Sequence, residues 1–278
     1  MEINNKGWIR ALRFILPYLG IAAIFQLLGA LILGIDPLEL DAELSSSQDL
    51  IIVFFNLIGV IVTLWIFTVK ADNERFISLG FQSKCFFKEF GLGFGLGILA
   101  IVTGYLLLIG LDEIRFEGLA FNPKEILIMT ALFLFVSLAE EMVFRGYILR
   151  NLLISFNKYV ALIISAILFT VIHLINPHIN LMGALSLFCA GLLYGLGYLY
   201  TKKLWLPIAM HFSWNLFQAL MGFNVSGHDV YSLIDFSLSD NNWINGGSFG
   251  FEGSIISIGI QILIILGIFL IYKKKKAL

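Results

Sequence analysis

Six side chains are polar or charged yet lie in otherwise apolar sequence: Glu140, Glu141, Arg145, His173, His211 and Asn215. They fall in three clusters, Glu140-Glu141-Met-Val-Phe-Arg145, Phe169-Thr-Val-Ile-His173 and His211-Phe-Ser-Trp-Asn215. A charge held in a bilayer costs at least ~2.5 kcal/mol, so ionisable residues there point to function by default. Carboxylates and imidazoles accept and release protons, and imidazole and amide N–H groups stabilise developing negative charge. The residue types therefore suit hydrolysis, proton relay or metal binding.

Helical geometry sorts the two glutamates. Successive residues are about 100° apart around a helix, so Glu140 and Glu141 cannot share a face. Arg145 follows Glu141 by four residues, the spacing at which side chains meet. Glu141 is therefore expected to pair with Arg145, and Glu140 to point to another helix or to water. The same spacing puts His211 and Asn215 on one face. His178 and His228 fall in predicted loops and read as surface residues.

The elements that must position these groups follow from composition. Of the 278 residues 59% are hydrophobic and 13% charged, against roughly 25% charged in an average soluble domain. Eight apolar stretches are long enough to span a bilayer, at about 8–35, 50–69, 90–111, 124–149, 158–175, 180–200, 203–222 and 253–272. The first is longer than a signal-peptide core and lacks a small-x-small cleavage site, so it reads as a span. Of the 18 basic residues, 15 fall in the even-numbered loops and the two termini, among them Arg10, Arg75, Arg150 and Lys203. Asp36, Glu39, Asp41, Glu43 and Asp49 in the first loop, with Asp229, Asp235, Asp240 and Glu252 in the seventh, make the alternate loops acidic. The positive-inside rule then places both termini in the cytoplasm. The basic loops need no nucleic acid to explain them. Cys85 and Cys189 fall in different environments and are not expected to pair. The expected fold is an all-α integral membrane protein of about eight transmembrane helices, one polytopic domain over 1–278. The seventh loop, 223–252, is rich in Gly, Ser and Asn and reads as the longest irregular stretch, with the mobility typical of such loops.

Depth checks whether the six residues meet. At 1.5 Å per residue, Glu140 lies ~15 Å from the cytoplasmic end of its span and His211 ~12 Å. His173 comes out ~22 Å deep, which requires a tilt, a kink or a re-entrant start to span five.

The three motifs, in this order and each within a span, resemble those of the CaaX-protease and bacteriocin-processing (abortive-infection) family of intramembrane endopeptidases. The resemblance covers about residues 124–222, which it marks as a catalytic core. It implies hydrolysis of a peptide bond in a membrane-associated protein or peptide, with Glu140 activating water and His173 holding it. It further implies that His211 and Asn215 stabilise the oxyanion, with Glu141 and Arg145 in support. No cofactor is expected on this reading.

A zinc-dependent form is the mechanistic alternative, because one Glu and two His leave a water site open on Zn²⁺. Against it, His-Glu-x-x-His is absent from the sequence, and the His211 helix offers one good zinc ligand. A non-catalytic immunity or scaffold protein is a further alternative, since the family is linked to bacteriocin self-immunity. A proton-coupled transporter would also use Glu and His, but no internal repeat accompanies them here. The short chain, rich in Phe, Ile, Asn and Lys, has a bacterial composition, which places the expected multi-pass protein in the plasma membrane.

Overall fold

Every predicted span is helical in the computed structural model, which describes residues 5–36 and 44–276. Glu39, Asp41 and Glu43 lie outside the described residues. Helix α1 runs Asn5–Ile32 and α2 Ser46–Trp65, continued by π-helical turns over Ile66–Ala71. Helix α3 is Phe86–Gly110 and leads into strand β1, Ile114–Leu119. Helix α4, Pro123–Glu141, passes through π-helical turns at Met142–Leu149 into α5, Arg150–Ser155, as one rod. Then come α6 (Lys158–Ile172), α7 (Leu181–Thr201), α8 (Trp205–Leu220), strand β2 (Ile234–Leu238) and α9 (Ile255–Lys276).

Polar side chains start several of these helices by accepting from otherwise orphaned backbone N–H groups. Ser45 and Gln48 form a capping box at α2, and Asn122, Asn157 and Asn180 cap α4, α6 and α7. Six of the helical segments among the described residues are long and apolar enough to cross a membrane. Leu12, Leu16 and Leu31 of α1 and Leu263, Leu266 and Leu270 of α9 point outward, as a lipid-facing surface requires. The chain is a helical, multi-pass membrane protein. Both cysteines are free.

The two predicted spans outside these six are α8 and α9, the latter with an apolar stretch at Ile255–Ile271 among the described residues. The reason is clear for α8. It has 16 residues, of which 13 are buried, and covers only ~24 Å. Other helices surround it, so protein rather than lipid matches its length. Glycines let α3 approach it closely. A Cβ at Gly93 would collide with Leu206 O of α8, and one at Gly97 with Ser213 Oγ. Small residues four apart make such a face in membrane helices.

The seventh loop, expected to be irregular, contributes one strand of a β-ribbon and the third loop the other. β1 and β2 pair antiparallel, Ile114 opposite Leu238 and Leu119 opposite Ile234, with a bulge between Phe116 and Gly118. The seventh loop is tied down further. Asn242 and Asn245 Nδ2 donate to Glu113 Oε2 at 2.7 and 2.9 Å, and Gln218 Nε2 donates to Asn224 O at 2.7 Å. The loop thus forms a roof over one end of the bundle. At the other end Arg10 pairs with Asp72 at 3.0 Å and Glu74 at 3.2 Å, and Arg150 also pairs with Glu74. Burial alone would raise the Glu74 carboxyl, but the Arg150 and Arg10 guanidiniums outweigh it and hold it below the ordinary glutamate range.

Candidate active site

Glu140 and Glu141 end α4, and the π-helical turns that carry Arg145 begin at once. The extra backbone width of such turns is common at functional sites. Arg145 Nη1 donates to Glu141 Oε1 at 2.8 Å, and the two side chains are 1% and 0% exposed. Arg145 Nη2 donates to Gly191 O of α7 at 3.2 Å, and the guanidinium sits 4.5 Å from the Phe169 ring centre. A Cβ at Gly191 would lie 2.8 Å from Ala166 Cα, so α6 and α7 touch beside this pair. The expected Glu141–Arg145 partnership is present, and its environment is almost fully desolvated.

Glu141 has a second partner that helix spacing could not reveal. Its Oε1 also lies 3.0 Å from His211 Nδ1 on α8. A carboxylate accepts, so Nδ1 carries the proton and Nε2 turns toward Glu140 at 3.9 Å. Tyr194 of α7 stacks on the His211 ring at 4.8 Å and 14°. His173, in the 3-10 turn that ends α6, is fixed in the same manner. Its Nδ1 lies 2.7 Å from Phe169 O, a carbonyl that only accepts, and its Nε2 lies 3.6 Å from Glu140 Oε2. Each imidazole is therefore oriented from behind and presents Nε2 to the same carboxylate. Glu140 Oε2 accepts no hydrogen bond from the described residues. Contacts of 3.6–3.9 Å are too long for direct hydrogen bonds and leave room for a bridging atom.

The depth mismatch has a simple cause. The rod that carries Glu140 ends at Ser155, beyond the predicted boundary at 149. Glu140 is then ~22 Å from that end, the same as His173 counted from Lys158. His211 is only ~9 Å from the start of α8, because α8 begins deep in the bundle. There Leu204 N donates to Gly80 O at 3.0 Å.

Glu140, His173, His211 and Asn215 line one cavity of about 420 Å³. Asn215 lies one turn beyond His211 and is 6% exposed; its side-chain amide makes no hydrogen bond with the described residues. All six residues singled out from sequence gather here, four on the cavity wall and Glu141 and Arg145 directly behind it. Five others were missed. Tyr194 sits in a predicted span, where its ring reads as packing. Asp49, Asp229 and Glu252 were counted as loop charges and His228 as a surface residue, yet all four line the cavity. Ser226 donates to Glu252 Oε2 from N at 3.0 Å and from Oγ at 2.8 Å. Burial pushes the Glu252 carboxyl up, against these bonds and the attraction of His173 and His211. Asp229 follows a histidine in a loop, and nothing in that local sequence marks it as a cavity residue.

Comparison with known proteins bears on the same segment. The family model described as type II CAAX prenyl endopeptidase Rce1-like matches residues 122–217. The match begins at the cap of α4, ends within α8 and includes all six residues. It agrees with the family that the motifs resemble, and it supports a protease acting on a membrane-associated substrate. No curated protein and no solved structure matches the chain.

Proposed function

We propose that the chain is an intramembrane endopeptidase of the glutamate type, with residues 124–222 as its catalytic core. The observation that carries this reading is the pair of imidazole Nε2 atoms at 3.6 and 3.9 Å from Glu140 Oε2, on the wall of one cavity. A water between them gives one proton to Glu140 and its second hydrogen bond to the His173 Nε2 lone pair, while its oxygen adds to the substrate carbonyl carbon. The resulting oxyanion accepts from Asn215 Nδ2–H and His211 Nε2–H. Because His211 Nδ1–H is already bonded to Glu141, its Nε2 donates only as an imidazolium, and Glu141 and Glu140 are the counter-ions of that form. Collapse of the adduct breaks the C–N bond, and Glu140 returns its proton to the leaving amine. The products are a carboxylic acid and an amine, with one water consumed. The multi-pass fold supports chemistry within a membrane, and the composition favours a bacterial plasma membrane.

A zinc form of the same protease is the second reading. It is favoured by the back-bonded imidazoles, since metal-bound histidines usually donate their other nitrogen to a carboxylate or carbonyl. Glu140, His173 and His211 would hold the ion, which would acidify a bound water. Yet His-Glu-x-x-His is absent from the sequence and the His211 helix offers one good zinc ligand, so the glutamate reading stands first.

The test is to map new protein termini in membranes of cells producing the wild type or His211→Ala. Termini present only with the wild type are expected. Identical termini in both would contradict the proposal. Prolonged chelation and dialysis of purified protein should leave turnover intact. Stoichiometric zinc lost and regained together with activity would select the second reading.

A further inference from the structure

The cavity that holds Glu140 has a charged wall that the catalytic proposal does not use. Asp49, in the first turn of α2, Asp229 and Glu252 all line it, and no Lys or Arg among the described residues does. Arg145 lies behind the wall and is engaged by Glu141 and Gly191. Two further observations point to a ligand. Glu252 is 8% exposed, and Ser226 occupies only its Oε2, leaving Oε1 without a hydrogen bond from the described residues. Asn215, as buried, also turns an unpartnered amide to the cavity. Asp49, Asp229 and Glu252 all belong to the end of the bundle under the β-ribbon roof. Arg10, Arg75 and Arg150 belong to the opposite end.

We infer that this site takes a membrane-associated peptide segment that carries positive charge beside its apolar part, entering under the roof at the acidic end. This rests on the protease reading only for what happens after binding. Unit charges a few ångströms apart interact strongly where solvent screening is weak. A lysine or arginine side chain, or a free amino terminus, would be drawn toward Asp229 at the rim and Glu252 inside. A segment ending in a free carboxylate would be repelled by the same groups and would meet no Lys or Arg among the described wall residues, the His211 imidazolium being already countered by Glu141 and Glu140.

The test uses the full chain in nanodiscs of zwitterionic lipid, with empty nanodiscs as the blank. The probes are labelled peptides with one apolar core and Lys-Lys, Ser-Ser or Glu-Glu flanks, as amides, plus the Ser-Ser peptide with a free carboxylate. Binding is read by fluorescence anisotropy on Glu140→Gln protein, and cleavage on the wild type. The Lys-flanked peptide should bind at least about tenfold more tightly than the Glu-flanked one. The ratio should shrink when Asp229→Asn or Glu252→Gln is added, and again at high salt. Melting temperatures check that each variant is folded, and Asp229, being exposed, is the safer of the two. Equal binding of Lys and Glu peptides, tighter binding of the free carboxylate, or no binding of any probe would overturn the inference, whatever is cleaved. Charge-selective binding with no cleavage by the wild type would uphold it and overturn the protease reading instead.

Discussion

Glu141 is held on one side by Arg145 at 2.8 Å and on the other by His211 at 3.0 Å, so a single carboxylate links the buried ion pair to the cavity. Helix spacing exposes only the first link, because the second crosses from α4 to α8. The link changes what substitutions should do. Removing one partner of a buried pair strands the other, at a cost of ~3–5 kcal/mol. Arg145→Ala should therefore lower the melting temperature as well as activity. The double change Glu141→Gln with Arg145→Met should recover stability relative to either single change, because it strands no charge. It should not recover activity, since a neutral amide at position 141 no longer anchors an imidazolium at His211. A four-corner cycle of melting temperatures with kcat/KM measured alongside checks both statements. Additive stability losses would show that the two residues are not coupled. Asn215→Ala removes one oxyanion donor and no proton acceptor, so a loss of about 10²–10³ in kcat is expected, with KM nearly unchanged. A loss confined to KM would move Asn215 from catalysis to substrate binding.

At the scale of elements, α8 carries two of the four proposed catalytic side chains and owes its position to α3. Gly97 allows that approach, and Gly97→Leu should push α8 away. Its Cβ alone already collides with Ser213 Oγ. Overpacking of this kind costs roughly 1–3 kcal/mol, and both melting temperature and activity should fall. Gly95 has no atom within 4 Å of its would-be Cβ, so Gly95→Leu is the control expected to change neither. A second element-scale prediction concerns the clamp of Arg10, Arg150 and Glu74. Because the folded-state carboxyl of Glu74 is depressed, its contribution is present above the unfolded value near 4.3. It is lost as pH falls through the lower folded value. Glu74→Gln should thus destabilise by about 1 kcal/mol at neutral pH, with the gap from wild type closing below pH ~4. A gap that persists at low pH would assign Glu74 a role in packing instead. The helices were legible because long apolar runs bounded by charge have few alternatives in a membrane. The β-ribbon was not read, although Ile234, Phe236 and Leu238 alternate with polar residues. The Gly, Ser and Asn content of the surrounding loop masked that period.

At the scale of the whole molecule, the helical membrane fold accounts for the composition, and the separation of charge along the bundle predicts its orientation. Single cysteines at 235 and at 275, labelled from outside whole cells, test this. Position 235 should react and 275 should be protected; the reverse would invert the orientation and place the acidic end of the cavity in the cytoplasm. The proposed catalytic residues were legible because polar groups inside spans are rare. Asp229 and Glu252 were not, because their sequence neighbourhood is that of any acidic loop and only the folded roof brings them over Glu140. The proposed chemistry depends most on Glu140 acting as the base. The full chain in liposomes, with a membrane-tethered peptide that the wild type cleaves, addresses this directly. Glutamine keeps the size of Glu140 but cannot take a proton from water. Glu140→Gln should therefore lower kcat by about 10²–10⁴ while the melting temperature stays at or above that of the wild type. Turnover by Glu140→Gln within a few-fold of the wild type would rule out Glu140 as the base.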